Sequence, residues 1–344
     1  MRSCTACSSG TTNQADVASL NAYWYSRNPI SWLLLPLSWL FCALVWVRRS
    51  AYRQGWIKVH RLPVPVIVIG NISVGGTGKT PMVAWMAAYL LQRGRRPGIV
   101  SRGYGGKAPS WPRAVAPDSD PALVGDEPLV LAQRTGCPVW VGPDRVAAAR
   151  ALLAAAPCDI VVSDDGMQHY ALGRDLEIAV IDGSRRLGNG RCLPAGPLRE
   201  LPSRLSQVDL LVCNGAELSE GEFAMRLQTQ GLVNLRDPQL TQELEQWAGR
   251  EVIAVAGIGN PQRFFEMLRN YGMQVDERPF TDHHVFRPAD LPANDPRPVI
   301  MTEKDAVKCR LFARHNDWFV PVRAQLNGAF TERLEQLLRS PADG

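Results

Sequence analysis

The sequence predicts an α/β protein with a mostly parallel sheet flanked by helices, an apolar N-terminal membrane helix and a smaller C-terminal α/β domain. Three features support this: one long uncharged run, short apolar segments that alternate with helical stretches, and a glycine-rich loop after the first such segment. Apolar strands separated by helices are typical of a parallel sheet covered on both faces. The length of 344 residues suits two domains.

The long apolar run extends from Ile30 to Val47 and contains no charged residue. Its roughly 18 residues approach the ~20 that cross a bilayer, and tryptophans punctuate it as they do near lipid headgroups. Arginines and lysines follow directly, so the positive-inside rule predicts a cytoplasmic location for the rest of the chain. We expect a membrane-anchoring helix over residues 23–55, either spanning or interfacial, with a buried core helix as the alternative.

Composition and charge restrict the partners. The net charge of +5 is too small to predict nucleic-acid binding, and no feature indicates a protein partner. Eight cysteines are scattered without a disulfide-like framework, which is typical of a reducing compartment. Cys4 and Cys7 lack the second pair that would complete a zinc site.

The coarse pattern divides the chain into four parts. Residues 1–22 read as a disordered extension, and residues 23–55 as the anchoring helix. A core over residues 56–220 precedes a smaller α/β domain over residues 221–344. Strands are expected at residues 64–69, 98–101, 138–141, 159–163, 177–181, 208–213, 251–256, 299–301 and 318–322, and helices at 81–93, 144–155, 261–270 and 331–338.

The strongest chemical signal is V-I-V-I-G-N-I-S-V-G-G-T-G-K-T-P, residues 66–81. An apolar strand enters a glycine-rich turn and then a helix, where backbone N–H groups can surround phosphate oxygens. Lys79 is expected on the β- and γ-phosphates and Thr80 on magnesium, although Ser73 replaces the glycine of the standard P-loop pattern. The predicted nucleotide-binding residues are Ser73, Val74, Gly75, Gly76, Thr77, Gly78, Lys79 and Thr80.

Acidic and histidine-containing motifs follow. Asp164 and Asp165 end an apolar strand, as in a Walker B element, although an ordinary acidic turn has the same pattern. Asp126 and Glu127 begin a helical stretch, where acidic residues are often only dipole partners. The Asp-His-His motif at residues 282–284 could be an acid/base pair or a plain loop. Spacing alone does not assign the polar stretches at residues 101–106, 189–200 and 302–306.

Taken in order, these motifs resemble the tetraacyldisaccharide 4′-kinase family, the lipid A 4′-kinases. The resemblance runs from about Tyr23 to the C-terminal region. It covers W-L-L-L-P-L-S-W-L, the P-loop, S-R-G-Y-G-G, G-D-E-P, S-D-D-G-M-Q-H, L-P-A-G-P-L-R-E, F-T-D-H-H and M-T-E-K-D-A. Ser73 belongs to the family's own variant P-loop, whereas Phe286 stands where the family often has tyrosine.

The resemblance implies an enzyme that uses ATP and Mg²⁺ to phosphorylate the 4′-hydroxyl of a tetraacylated glucosamine disaccharide 1-phosphate, a lipid A precursor. It implies a catalytic body on the cytoplasmic face of the bacterial inner membrane. Asp126 and His283 would activate the hydroxyl, with Lys79 also catalytic. The implied metal residues are Thr80, Glu127, Asp164, Asp165 and Glu200, and the implied nucleotide and phosphate contacts are Arg102, Tyr104 and His169.

Two rival functions have weaker support. P-loop switch or partition ATPases often carry an additional lysine early in the loop, where this chain has Ser73 and Val74. Such a protein also has no use for the apolar helix and its basic flank. The second rival is a soluble small-molecule kinase, and the apolar run with its basic flank argues against it as well.

Overall fold

The computed structural model describes residues 23–26, 28–215, 218–292 and 294–339, which form two sheets flanked by helices. The α/β prediction is therefore confirmed. The predicted extension at residues 1–22 lies outside the described residues. The α-helices are α1 (Pro29–Leu33), α2 (Leu35–Arg53), α3 (Lys79–Gln92), α4 (Pro121–Val124), α5 (Asp126–Thr135), α6 (Arg145–Ala155), α7 (Pro261–Asn270), α8 (Glu303–Cys309) and α9 (Gly328–Arg339). Short 3₁₀ helices cover Pro202–Gln207, Leu244–Trp247, Pro288–Asp290 and Arg310–Phe312.

A nine-stranded sheet, with α3, α5, α6 and α9 packed on it, forms the large lobe. Its strands are β1 (Val66–Gly70), β2 (Pro97–Ser101), β3 (Arg113–Val115), β4 (Val139–Val141), β5 (Ile160–Asp164), β6 (Leu176–Asp182), β7 (Leu210–Asn214), β8 (Glu222–Thr229) and β15 (Val322–Leu326). Their order in the sheet is β15-β8-β7-β6-β1-β5-β2-β4-β3, and neighbours are parallel except at the two edges.

A six-stranded sheet, with α7 and α8, forms the small lobe. The strands are β9 (Leu232–Asn234), β10 (Thr241–Gln242), β11 (Glu251–Ala256), β12 (Gln274–Pro279), β13 (Val299–Thr302) and β14 (Asp317–Val320). Their order in the sheet is β10-β9-β14-β13-β11-β12, with β9 and β10 antiparallel to their neighbours.

The register of the large sheet positions the site. β1 lies between β5 and β6, with Ile69 opposite Asp164. Because parallel strands end at the same edge, the loop after β1 and the acidic pair after β5 must be neighbours. β1 and β5 are buried along their whole length, which explains their continuous apolar sequences.

Strand membership departs from the predicted division at residue 220. β8 lies beyond residue 220, in the predicted small domain, but joins the large sheet; its alternating Phe223, Met225 and Leu227 were the signal for a strand. The strand expected at residues 318–322 is two strands in different sheets, separated by Pro321, which has no N–H for a ladder. The chain thus returns to the large lobe through β15 and α9.

Helix α9 is secured by one buried aromatic side chain. The Phe330 ring is fully buried, 5.5 Å from the Trp85 ring and 5.6 Å from the Phe223 ring. Phe330→Ala is expected to lower the free energy of unfolding by about 3–5 kcal/mol in urea titrations, because it leaves a cavity. Leu337→Ala, at a partly buried site of the same helix, should cost only about 1 kcal/mol. Equal small losses would contradict the core role of α9.

The buried residues of α1 and α2 are small or polar. Ser38 of α2 is 2% exposed and donates from Oγ to the Cys192 carbonyl at 2.8 Å. Large apolar side chains point outward instead. Among the described helices, none is both long and apolar enough to cross a bilayer. The exposed residues include Trp32, Leu33, Leu37, Trp39, Leu40, Leu44, Trp46 and Val47.

Candidate active site

The glycine-rich loop between β1 and α3 has a backbone that only glycine readily adopts. Gly75 and Gly78 have φ values of 104° and 97°. A side chain at Gly78 would also lie 2.7 Å from the Asn214 amide, which donates to the Thr77 carbonyl at 3.1 Å. The helix begins at Lys79, earlier than the predicted start at Pro81. Its N-terminus therefore directs backbone N–H groups into the loop.

A second loop supports the first. The Val74 N–H donates to the Pro197 carbonyl at 2.8 Å, and the Arg199 N–H donates to the Ile72 carbonyl at 2.6 Å. Both partners belong to the L-P-A-G-P-L-R-E stretch, which the sequence pattern left unassigned. Part of its role is to hold the P-loop in shape.

The acidic pair after β5 contains two unlike carboxylates. Asp164 is 1% exposed and accepts from the Ser101 hydroxyl at 2.9 Å, while its Oδ1 has no hydrogen-bond partner. Burial, together with the nearby charges of Glu127 and Asp165, raises the pKa of Asp164 to about 7.

Asp165 instead lies among cations. Its carboxylate is 3.6 Å from Lys79 Nζ and 3.0 Å from the Arg199 guanidinium. Burial alone would raise the pKa of Asp165, but Lys79 and Arg199 hold it well below its usual range. Asp165 therefore orients Lys79 at the mouth of the loop.

Asp126 and His283 meet across the two lobes. Asp126, at the first position of α5, is 5% exposed, and its Oδ2 lies 3.2 Å from His283 Nδ1. Burial raises the pKa of Asp126, but the His283 hydrogen bond and the Lys304 charge outweigh it and lower the pKa to about 2. Burial lowers the pKa of His283, and the Asp126 hydrogen bond reverses this, so the net shift is upward.

The His283 backbone is strained. Its φ is 60°, in the left-handed region that non-glycine residues rarely adopt. The Asp282 carboxylate accepts the His283 N–H at 3.0 Å, and the Tyr104 ring lies 4.7 Å from the imidazole. Such strain persists only where the surroundings over-determine the conformation, which is common at functional sites.

One cavity of about 680 Å³ lies between the lobes, and its lining includes the P-loop, Asp165 and His283. Its phosphate end is formed by the P-loop, and Glu127, His283 and Lys304 also line it. Side chains from both lobes form an apolar part suited to a flat base. Those side chains are Leu227, Ile258, Phe264, Met267 and Val320.

Known proteins of similar sequence show which family this chain belongs to. A family model described as tetraacyldisaccharide-1-P 4′-kinase matches residues 30–339. The chain belongs to this family. A tetraacyldisaccharide 4′-kinase from Nitrosococcus oceani is 55% identical over 93% of this chain and 94% of that protein. One from Aeromonas salmonicida is 49% identical over 93% of this chain and 97% of that protein.

A solved structure of the tetraacyldisaccharide-1-P 4′-kinase family gives the same result in three dimensions. LpxK from Aquifex aeolicus, crystallised in complex with ATP, superposes with a TM-score of 0.76 at 30% identity. The match covers 90% of this chain and 98% of that one. The family therefore accounts for both lobes.

Five residues were predicted to hold a metal ion, and their surroundings in the structure differ. Thr80 lies in the first turn of α3, and Asp164 carries the unpartnered oxygen. The two Glu200 oxygens accept hydrogen bonds from Gln168 and Tyr170 and face Arg204, and the role of Glu200 at a metal stays a prediction. In the described part of the chain, no three His, Cys, Asp or Glu side chains form a ready-made metal cluster.

Neither Arg102 nor His169 lines the cavity, and their contacts with nucleotide and phosphate stay a prediction. Both lie near Arg145, a residue that sequence reasoning missed. Burial and then Arg145 lower the pKa of His169 to about 4, and burial and then Arg102 lower the pKa of Arg145 to about 10. Arg145 opens α6, where the helix dipole disfavours a cation, and this was an available signal.

Proposed function

We propose that this chain transfers the γ-phosphate of ATP to the 4′-hydroxyl of a tetraacylated glucosamine disaccharide 1-phosphate. The observation that carries the proposal is the shared cavity, whose lining includes the P-loop and His283, the hydrogen-bond partner of Asp126. Membership of the tetraacyldisaccharide-1-P 4′-kinase family supports the acceptor. The product is the 4′-phosphorylated lipid A precursor.

The proposed reaction needs positioning and charge stabilisation. The P-loop amides and Lys79 bind the phosphates, while the Asp126–His283 pair takes the proton of the 4′-hydroxyl as its oxygen attacks phosphorus. A new O–P bond forms, the bond to the β-phosphate oxygen breaks, and ADP leaves. A sugar hydroxyl is a weak nucleophile, so the proton acceptor must lie next to it.

Mg²⁺ fits the residues present. Hard oxygen ligands suit this ion, which keeps several waters and takes only one or two protein ligands beside substrate phosphates. The Thr80 hydroxyl and the unpartnered Asp164 oxygen would hold it, with Glu127 close enough to raise the Asp164 pKa. When bound, the ion neutralises charge on the β- and γ-phosphates.

We further propose that α1 and α2 bind the cytoplasmic leaflet of the inner membrane as an interfacial anchor. Their outward face carries Leu33 and Trp39, which are 80% and 65% exposed, and their inward face packs on the large lobe. Arg48, Arg49 and Arg53 at the end of α2 favour anionic lipid. A tetraacylated acceptor stays in the bilayer, so the active site must work at its surface.

Binding to vesicles that contain anionic lipid tests the anchor. Leu40→Glu/Leu44→Glu is expected to weaken binding at least about 100-fold, since each buried leucine contributes about 1.5–3 kcal/mol. Leu311→Glu is the matched control, because Leu311 is 98% exposed on the small lobe. Substitution is sharper than deletion here, because α2 also packs on the core. If the Leu40→Glu/Leu44→Glu variant sediments with vesicles as well as the wild type does, the proposal that α1 and α2 anchor the protein is wrong.

The kinase itself is tested with purified full-length protein, radiolabelled ATP, Mg²⁺ and the disaccharide 1-phosphate lipid. A new phosphomonoester on the lipid is expected, and none on a matched 4′-deoxy acceptor. Release of free phosphate without lipid labelling would favour the switch-ATPase alternative.

A further inference from the structure

Lys304, in the M-T-E-K-D-A motif, reaches from the small lobe into the Asp126–His283 pair. Its ammonium lies 3.0 Å from Glu127 Oε1, 3.1 Å from Asp282 Oδ1 and 3.3 Å from His283 Nε2. Asp126 Oδ2 is 3.9 Å away. The side chain is 18% exposed, so these contacts are only partly shared with water.

Its place in the helix gives no reason for a cation. Lys304 is in the first turn of α8, where the helix dipole disfavours positive charge. The stabilisation must come from the carboxylates of the other elements, which outweigh burial and raise the pKa of Lys304 above its usual range. The contacts of Lys304 are therefore directed at the active site and not at its own helix.

We propose that Lys304 is a positioning residue, which fixes the Asp126–His283 pair for proton transfer and joins the two lobes at that point. The inference rests on the proposed function, because it assigns a role within that reaction. Its basis is the convergence of Lys304 on Glu127 and on both members of the pair.

Hydrogen-bond chemistry explains how Lys304 acts. An ammonium group can only donate, so its contact with His283 Nε2 requires a lone pair on that nitrogen. The neutral ring then carries its proton on Nδ1, which donates to Asp126. Lys304 thus selects the tautomer and the ring orientation that join the histidine to the carboxylate.

A second ion pair joins the same two helices without touching the catalytic groups. Glu303, the neighbour of Lys304, lies 3.0 Å from the Arg134 guanidinium at the other end of α5. α5 and α8 pack together along this interface. Glu303→Gln therefore weakens the contact between the lobes but leaves the proton-transfer groups in place.

The test measures kcat and KM for ATP and for the lipid acceptor with purified full-length variants. Lys304→Met is expected to lower kcat about 100-fold, as small displacements of catalytic groups do, with KM for ATP changed less than about threefold. Lys304→Arg keeps the charge and should retain at least about a tenth of wild-type kcat. Glu303→Gln should stay within about fivefold of wild type.

A double variant separates positioning from general stability. In a His283→Ala background, Lys304→Met should lower kcat by less than about threefold, because Lys304 acts through the histidine. If Lys304→Met fails to fold, Lys304→Gln replaces it in both backgrounds with the same expectations.

Three results would overturn the inference: near-normal kcat in Lys304→Met, an equal loss in Glu303→Gln, or full additivity with His283→Ala. A wild-type protein that labels no lipid would instead contradict the proposed function.

Discussion

Lys79→Ala is expected to reduce kcat for lipid phosphorylation by about three orders of magnitude or more. Lys79 is held at the P-loop by Asp165, 3.6 Å away, and is the predicted cation for the β- and γ-phosphates. Negative charge develops on the phosphates in the transition state. Removing a pre-oriented cation from a partly buried site removes the stabilisation of that charge. The measurement is transfer of radiolabelled phosphate to the lipid under saturating ATP.

Two further variants sharpen that test. Lys79→Arg keeps the charge, but its planar guanidinium does not match the compact ammonium, so it should remain at least about tenfold impaired. Arg333→Ala, on the exposed face of α9, should leave turnover within about twofold of wild type. Near-normal turnover by Lys79→Ala would overturn the assignment of the P-loop.

Asp126→Asn is expected to lower kcat by about 10²–10⁴-fold, the range for loss of a general base. The substitution preserves shape but removes the group whose pKa, at about 2, keeps it ionised at neutral pH. Asp126 lies at α5 and not in the P-loop, so KM for ATP should change by less than about threefold. Steady-state kinetics with each substrate varied gives both quantities.

The pair should behave as one unit. Asp126→Asn combined with His283→Ala is expected to cost little more than either single change, because each residue needs the other for proton transfer. Equal losses of kcat and of ATP affinity in Asp126→Asn would reject its role as proton acceptor. Independent, multiplying losses would reject the coupling.

Local sequence patterns were sufficient for most of the fold and for the phosphate loop. A strand, a turn and a helix follow one another within residues 66–92, and their apolar periods and glycines act over a few residues. Glycine is required at Gly78 by the backbone itself, so the motif already contains its own geometry. The acidic pair after β5 was also predicted from local pattern, because it directly follows an apolar run.

Contacts between distant segments were beyond such patterns. Lys304 and Glu127 are 177 residues apart in the sequence. The T-E-K-D motif alone therefore did not indicate a role for its lysine, because that role depends on contact between the two lobes. The family resemblance implied Glu200 as a metal residue, and only the structure showed that Gln168 and Tyr170 donate hydrogen bonds to its oxygens. The two strands around Pro321 looked like one, because local pattern does not specify which sheet a strand joins.

By itself, the sequence determined an α/β protein with a P-loop and an apolar N-terminal helix, and its motifs determined the family. These properties depend on interactions between near neighbours along the chain. Only the tertiary structure decided that the apolar face of α2 points outward, that β15 and α9 return to the large lobe, and that Lys304 joins Asp126 and His283. Burial and ion pairing depend on which distant surfaces meet, and packing of the whole chain sets that.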